Sequence, residues 1–263
     1  MNNVELQKRI LTWYAQNKRA LPWRTTTDPY HVLVAEVMLQ QTQVDRVIPK
    51  YRAFLQAFPT ISDLADAPLS NVLEFWSGLG YNNRAVRLWE AVKMIKEKYD
   101  GKVPSNRGQL LALPGIGPYT ADAILSFAFN LPYPCVDTNI RRVLIHELKL
   151  PESIPATTLY NIAVQQIPKG KSREWNNALM DYGAIVLTAK KTGIKPLTQQ
   201  SKFLHSRRWY RGQIMKLLVQ KKTIGLNDLI RYFKKDEDAF KDILKELQRD
   251  KLVLWREKNI YLP

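Results

Sequence analysis

The run Leu113-Pro114-Gly115-Ile116-Gly117-Pro118-Tyr119-Thr120-Ala121 constrains this chain more than any other feature. It follows the apolar pair Leu110-Leu111 and leads into a helical pattern over residues 121–129, so it reads as a tight turn that opens a helix. Two glycines permit positive φ and close approach of a ligand to the backbone. The N–H groups at the start of the following helix suit a phosphate oxygen, which holds a nucleic-acid backbone without reading a base. An ordinary turn between helices with a glycine cap accounts for the glycines, though not for the whole run.

Apolar residues recur at helical spacing on both sides of this turn, from residue 4 to about 186, with Pro and Gly marking the breaks. Segments 4–16, 29–40, 44–58, 69–73 with an extension, 84–99 and 120–129 each show i, i+3/i+4 spacing, and strand-like alternation is almost absent. The pattern predicts a mostly α fold. Between 188 and 211, Lys190-Lys191, Lys195-Pro196 and Arg207-Arg208 interrupt any sustained apolar face, which predicts a basic linker over 189–211. Beyond it, 213–220, 226–233 and 239–247 read as three short helices. Leu252-Val253-Leu254-Trp255 and Ile260-Tyr261-Leu262 then flank a charged turn. That order resembles a small winged-helix-like α/β domain over 212–263.

The chain holds 40 Lys and Arg against 24 Asp and Glu, a formal charge of +16 over 263 residues. A polyanion is the partner that such a surplus fits best, although surplus charge also serves solubility. Residues 201–263 carry 16 basic and 8 acidic side chains, about half of the net charge, and suit a second DNA contact or a protein-binding winged helix. The single cysteine, Cys135, excludes an internal disulfide, and His31, His146 and His205 lack ligand spacing, so neither a metal nor a cofactor is expected. No stretch approaches the roughly 18–20 apolar residues of a membrane span. The expectation is a soluble, intracellular protein, cytoplasmic and nucleoid-associated, acting as a monomer.

The turn and four further motifs resemble, in order, the helix-hairpin-helix DNA glycosylase superfamily, which includes endonuclease III-like enzymes and adenine glycosylases. The others are Leu21-Pro22-Trp23-Arg24, Glu36-Val37-Met38-Leu39-Gln40-Gln41-Thr42, Gly78-Leu79-Gly80-Tyr81 and Val136-Asp137-Thr138-Asn139. The resemblance covers about residues 21–188 and implies a two-lobed catalytic core over 1–188. Its substrate would be double-stranded DNA with a mispaired or damaged base. Its product, an abasic site, would pass to a downstream abasic-site endonuclease.

Cleaving an N-glycosidic bond needs a proton for the departing base and stabilisation of the cationic sugar. Glu36 lies between Val32-Leu33-Val34-Ala35 and Val37-Met38-Leu39, where burial favours the protonated carboxyl. From the residues alone it is a proton donor or a buried Glu satisfied by hydrogen bonds; the resemblance implies the donor. Asp137 falls at a helix start and reads as an N-cap; the resemblance implies that it also stabilises the sugar and activates water. Asn139 is expected to orient that carboxylate or the nucleotide backbone. Tyr119 stands where strand-cleaving relatives carry a Schiff-base lysine, so the resemblance implies a monofunctional enzyme. Leu113, Pro114, Gly115, Ile116, Gly117 and Thr120 make the DNA-binding hairpin. Trp23, Arg24, Leu39, Gln40 and Asp181 are expected near the base pocket. Gln41 and Tyr81 are expected to fill the gap left by the extruded base.

The sequence departs from the adenine branch in three ways. Leu187, Thr192, Lys195 and Ser201 stand near where that branch ligates a [4Fe–4S] cluster through four Cys, so packing and a basic linker are expected in its place. The chain ends before a Nudix-like domain that recognises 8-oxoguanine, which leaves plain A·G as a candidate substrate. Thr138 replaces a usual glycine, as in related G·T mismatch thymine glycosylases. Three readings follow: removal of adenine opposite guanine or 8-oxoguanine, removal of thymine or uracil opposite guanine, and mismatch or damage binding without cleavage.

Overall fold

A computed structural model describes residues 3–197, 202–233 and 237–263. Among them the chain is mostly helical, as its periodicity predicts. The helices are α1 (Asn3–Asn17), α2 (Pro29–Leu39), α3 (Val44–Ala57), α4 (Ile61–Asp66), α5 (Leu69–Trp76), α6 (Asn83–Lys98), α7 (Arg107–Leu111), α8 (Pro118–Phe127), α9 (Thr138–Glu147), α10 (Ala156–Gln165), α11 (Ser172–Ile185), α12 (Ala189–Thr192), α13 (Arg207–Lys221), α14 (Leu226–Phe233) and α15 (Glu237–Arg249). A 3₁₀ turn occupies Pro22–Arg24. Strands β1 (Thr223–Gly225), β2 (Leu254–Arg256) and β3 (Asn259–Tyr261) form one antiparallel sheet in the order β1-β3-β2.

The chain divides into two compact units, each assembled from three separate stretches. The first comprises Met1–Glu36, Val103–Ala112 and Ile116–Gln199. Helix α11 runs through its core, with Trp175, Ala178 and Leu179 buried against α1, α8 and α9. The second comprises Val37–Lys102, Leu113–Gly115 and Gln200–Pro263, with Phe54, Trp76, Leu88 and Ile95 at its centre. Their boundary cuts α2 between Glu36 and Val37.

Local rules explain where the C-terminal elements differ from expectation. Ser206 caps α13 by accepting from the Trp209 N–H at 3.2 Å, so Arg207-Arg208 open a helix instead of lying in a linker. Thr188 likewise caps the one-turn α12 within the expected linker. β1 is too short to show alternation in the sequence and exists through its pairing with β3, where Ile224 faces Ile260. Leu252 and Val253 lie in the core ahead of β2, which starts at Leu254. Within the second unit, Lys222 pairs with Glu74, and Lys251 Nζ lies 2.5 Å from Glu90 Oε1.

Candidate active site

The first unit gathers four of the nominated residues around the start of α9. Asp137 caps that helix: Oδ1 accepts from the Ile140 N–H at 2.7 Å and Oδ2 from Asn139 Nδ2 at 3.0 Å. Asn139 therefore orients the carboxylate, and its own Oδ1 accepts from Arg142 Nη1 at 3.2 Å. Arg142 also donates to the Gly183 carbonyl at 3.0 Å and the Leu187 carbonyl at 3.4 Å, which ties α9 to the end of α11. Burial raises the Asp137 pKa, while the Ile140 N–H and the Asn139 amide act in the opposite direction by favouring the ionised form.

Glu36 is 7% exposed on α2, and burial, followed by the nearby charge of Asp137, pushes its carboxyl up to about 8; Arg24 opposes the shift. Two carboxyls are thus within electrostatic reach of one another, with the one on the apolar helix holding its proton at neutral pH. Tyr119 is 37% exposed as a residue, yet burial of its hydroxyl end and the charges of Glu36 and Asp137 push the phenol well up, so it stays neutral beside them. Cys135 lies buried behind the pair, its N–H donating to Asn176 Oδ1 at 2.9 Å. Asn176 Nδ2 in turn donates to the Tyr133 carbonyl at 3.0 Å, so a buried amide fixes the extended segment that delivers Asp137.

Asp181 is fully buried and collects four donors: the Arg19 N–H at 3.0 Å, Arg19 Nε at 2.6 Å, and Arg24 Nη1 and Nη2 at 2.6 and 2.9 Å. Burial alone would raise its pKa; the hydrogen bonds from Arg24 and Arg19 hold it below the ordinary aspartate range. The planar fork of Arg24 is thereby set near Glu36, and its neighbour Trp23 is buried.

At the hairpin, Gly115 has the expected positive φ, +76, and a Cβ there would also come within 2.7 Å of Arg87 Cβ. Gly117 corrects the expectation of two glycines at positive φ. Its φ is −90, it is the N-cap of α8, and nothing lies within 4 Å of a Cβ placed on it. It leaves the end of α8 open, with Pro118 at N1 where no N–H is needed. Leu113, Ile116 and Thr120 are buried, Pro114 is half-buried, and Arg107 Nε joins α7 to α8 through Asp122 Oδ1 at 2.6 Å.

In the second unit, Gln41 (φ +54, exposed) and Tyr81 (φ +46, half-buried) both take left-handed backbone. Gln41 follows α2, an ordinary place for that conformation, whereas Tyr81 ends a turn in which Gly78 and Gly80 also have positive φ. Arg84, absent from the sequence-based candidates, joins these turns. Buried, it donates from Nη1 to the carbonyls of Val37 (2.8 Å), Met38 (2.9 Å) and Gln40 (2.6 Å). Its Nη2 donates to Thr42 Oγ1 and the Gly80 carbonyl, both at 3.0 Å. It fills the role of a C-terminal cap on α2, which leaves Leu39 and Gln40 half-buried at the mouth of the turn. Burial pushes its pKa down to about 10, so the cation persists at neutral pH.

An iron–sulfur cluster does not fit this chain, because the donor set holds no thiolates. The Leu187 N–H donates to the Tyr182 carbonyl at 2.9 Å, Thr192 Oγ1 donates to the Thr188 carbonyl at 3.1 Å, and the Lys195 carbonyl accepts from Arg141 at 3.4 Å. Ser201 lies outside the described residues.

Residues 34–163 match the HhH-GPD superfamily of base excision DNA repair proteins. The chain is 35% identical to an adenine DNA glycosylase of Buchnera aphidicola subsp. Acyrthosiphon pisum, across 99% of this chain and 80% of that one. It is 40% identical to the adenine DNA glycosylase of the Baizongia pistaciae subspecies across 71% of this chain, and spans 54% of that relative's length. The solved structure of a thermostable thymine-DNA glycosylase superposes with a TM-score of 0.67 at 31% identity, over 73% of this chain and 93% of that one.

Proposed function

The chain belongs to the HhH-GPD superfamily of base excision DNA repair proteins and, within it, to the adenine DNA glycosylases, and on that footing we propose that it is a monofunctional N-glycosylase. It extrudes adenine mispaired with guanine or 8-oxoguanine, hydrolyses the bond to the sugar and leaves an abasic site. One observation carries the reading: Glu36 and Asp137 are two carboxyls in mutual electrostatic reach, one kept protonated by burial and the other given donors for its ionised form.

Glu36 gives its proton to the purine ring as the N-glycosidic bond breaks and its electron pair leaves with the base. Asp137, oriented by Asn139, faces the oxocarbenium-like sugar with negative charge. Water then adds at the sugar carbon and loses its proton to the Glu36 carboxylate, which restores the starting state. Tyr119 has no amine, so no imine forms and the strand stays intact. Trp23, Arg24, Leu39 and Gln40 line the base pocket, with Asp181 fixing Arg24, and Gln41 and Tyr81 fill the stack. Leu113, Pro114, Gly115, Ile116, Gly117 and Thr120 hold the DNA backbone at the open start of α8. Residues 212–263 act as a winged-helix-like second DNA contact after the basic stretch 189–211, and an abasic-site endonuclease takes the product from a monomeric enzyme.

The test uses protein in excess over labelled duplexes with one A·8-oxoG, A·G, T·G or U·G pair, followed by alkali. Alkali-dependent breaks at A, lost in Glu36→Gln and Asp137→Asn, are expected. Thr138 and the likeness to a thymine-DNA glycosylase favour a second reading, removal of T or U opposite G. Breaks at those bases with A left in place would select it. Tight mismatch binding with no breaks would leave a binding protein only.

A further inference from the structure

Tyr81 sits inside a ladder of alternating rings and guanidinium groups that begins at Trp76 in the core of the second unit and ends at Phe203, just ahead of α13. Arg84 Cζ lies 5.3 Å from the Trp76 ring centre and 5.7 Å from that of Tyr81. On the other side, Arg208 Cζ lies 5.3 Å from the Tyr81 ring and 5.3 Å from the Phe203 ring. Arg208 Nη1 also donates to the Tyr81 hydroxyl. Arg208 stands in the first turn of α13, whose start is fixed by the Ser206 cap, so a C-terminal helix reaches a side chain 127 residues earlier in the sequence.

We propose that Arg208 is a positioning residue for Tyr81, so that the C-terminal domain sets the side chain that enters the duplex. The inference rests on the reading of Tyr81 as the residue that fills the stack. The Tyr81 backbone is held by its carbonyl, which accepts from the Arg84 N–H at 2.9 Å, but its half-buried ring must also be held in one orientation before DNA arrives. Arg84 supports the ring from the core; Arg208 supports it from the tail and binds its hydroxyl. A guanidinium does both at once because its plane stacks while its edge donates.

The test is a double-variant cycle read without bond cleavage. A G·A duplex carries 2-aminopurine beside the target adenine, and its fluorescence rise and the preference over matched duplex are measured for the unaltered protein, Arg208→Ala, Tyr81→Ala and the pair. Arg208→Ala should lower the preference about tenfold, the scale of a desolvated cation–ring contact. It should have no further effect once Tyr81→Ala is present, and Arg208→Lys should recover little of the loss, because an ammonium cannot stack on the ring and donate to the hydroxyl at once. Additive losses with a salt slope lowered by about one would make Arg208 a phosphate contact and overturn the proposal. So would an equal loss in Lys222→Ala, which breaks a different tie of the tail. Coupling in a protein that leaves adenine in place would sink the glycosylase reading alone; adenine release without coupling would sink this inference alone.

Discussion

Gly183 gives Asn139 the room it occupies: a Cβ placed on Gly183 would lie 2.8 Å from both the Cβ and the carbonyl oxygen of Asn139. Helices α9 and α11 meet there, and the contacted atoms include backbone that cannot swing aside. Alanine would gain about 0.5–1 kcal/mol of helix propensity at this position. Overpacking against backbone costs about 1–3 kcal/mol, so the clash wins. Gly183→Ala should lower the unfolding free energy by about 1–2 kcal/mol. Because Asn139 holds Asp137, adenine release should fall too; denaturant unfolding together with single-turnover kinetics checks both.

The raised Glu36 carboxyl predicts a signature in pH. Folded, it titrates at about 8 against an ordinary 4.5, so across that window the native state holds a proton the unfolded chain has released. Stability should therefore fall as pH rises from 4.5 to 8, and Glu36→Gln should flatten that slope. The rate of adenine release should fall as pH passes about 8, where the proton donor is lost. A rate that keeps climbing past that point would remove Glu36 as the donor.

Arg84 should resist conservative replacement. An ammonium at the end of a lysine has no planar fork with which to reach the Val37, Met38 and Gln40 carbonyls on one side and Thr42 and Gly80 on the other. Arg84→Lys should cost about 2–3 kcal/mol in chemical denaturation, with several buried carbonyls left unpaired.

Asp181→Asn leaves two arginines facing a neutral amide in a fully buried place. The expected loss is about 3–5 kcal/mol. Because the folded carboxyl titrates below its ordinary value, its contribution is present at neutral pH and lost as acid carries the solution through the lowered value. Thermal melts from neutral pH downward should show the variant and the parent converging.

The helical architecture was legible because apolar spacing repeats over long segments, whereas the two candidate carboxyls were nominated by the resemblance, since each also has an ordinary structural reading. Glu36 is an acid within an apolar stretch, and Asp137 stands at a helix start. Arg84 carried no such contrast: in a chain with 40 Lys and Arg, one more cation looks solvated until packing shows carbonyls on every side of it. Gly183 was hidden for a similar reason, since a mid-helix glycine states that a Cβ is unwelcome without naming the neighbour. Arg208 was read as a linker charge because the Ser206 cap, one polar residue, decides whether the segment is helical. Short β1 escaped because three residues cannot display an alternation; its partner strand defines it.

The interleaving of the two units bears on how the chain can be made. The first unit needs residues up to Gln199 and the second needs the last stretch beginning at Gln200, so on a ribosome neither can finish while only the opening third has emerged. Helix α1 must wait, its apolar face exposed, for α11, which is synthesised far later, whereas α3–α6 can pack on one another as soon as they emerge. High sequence separation of this kind slows folding. A stop codon placed after residue 188 would take the closing stretch from the second unit, and with it the ion pairs to Glu74 and Glu90 and the hold on the Tyr81 ring.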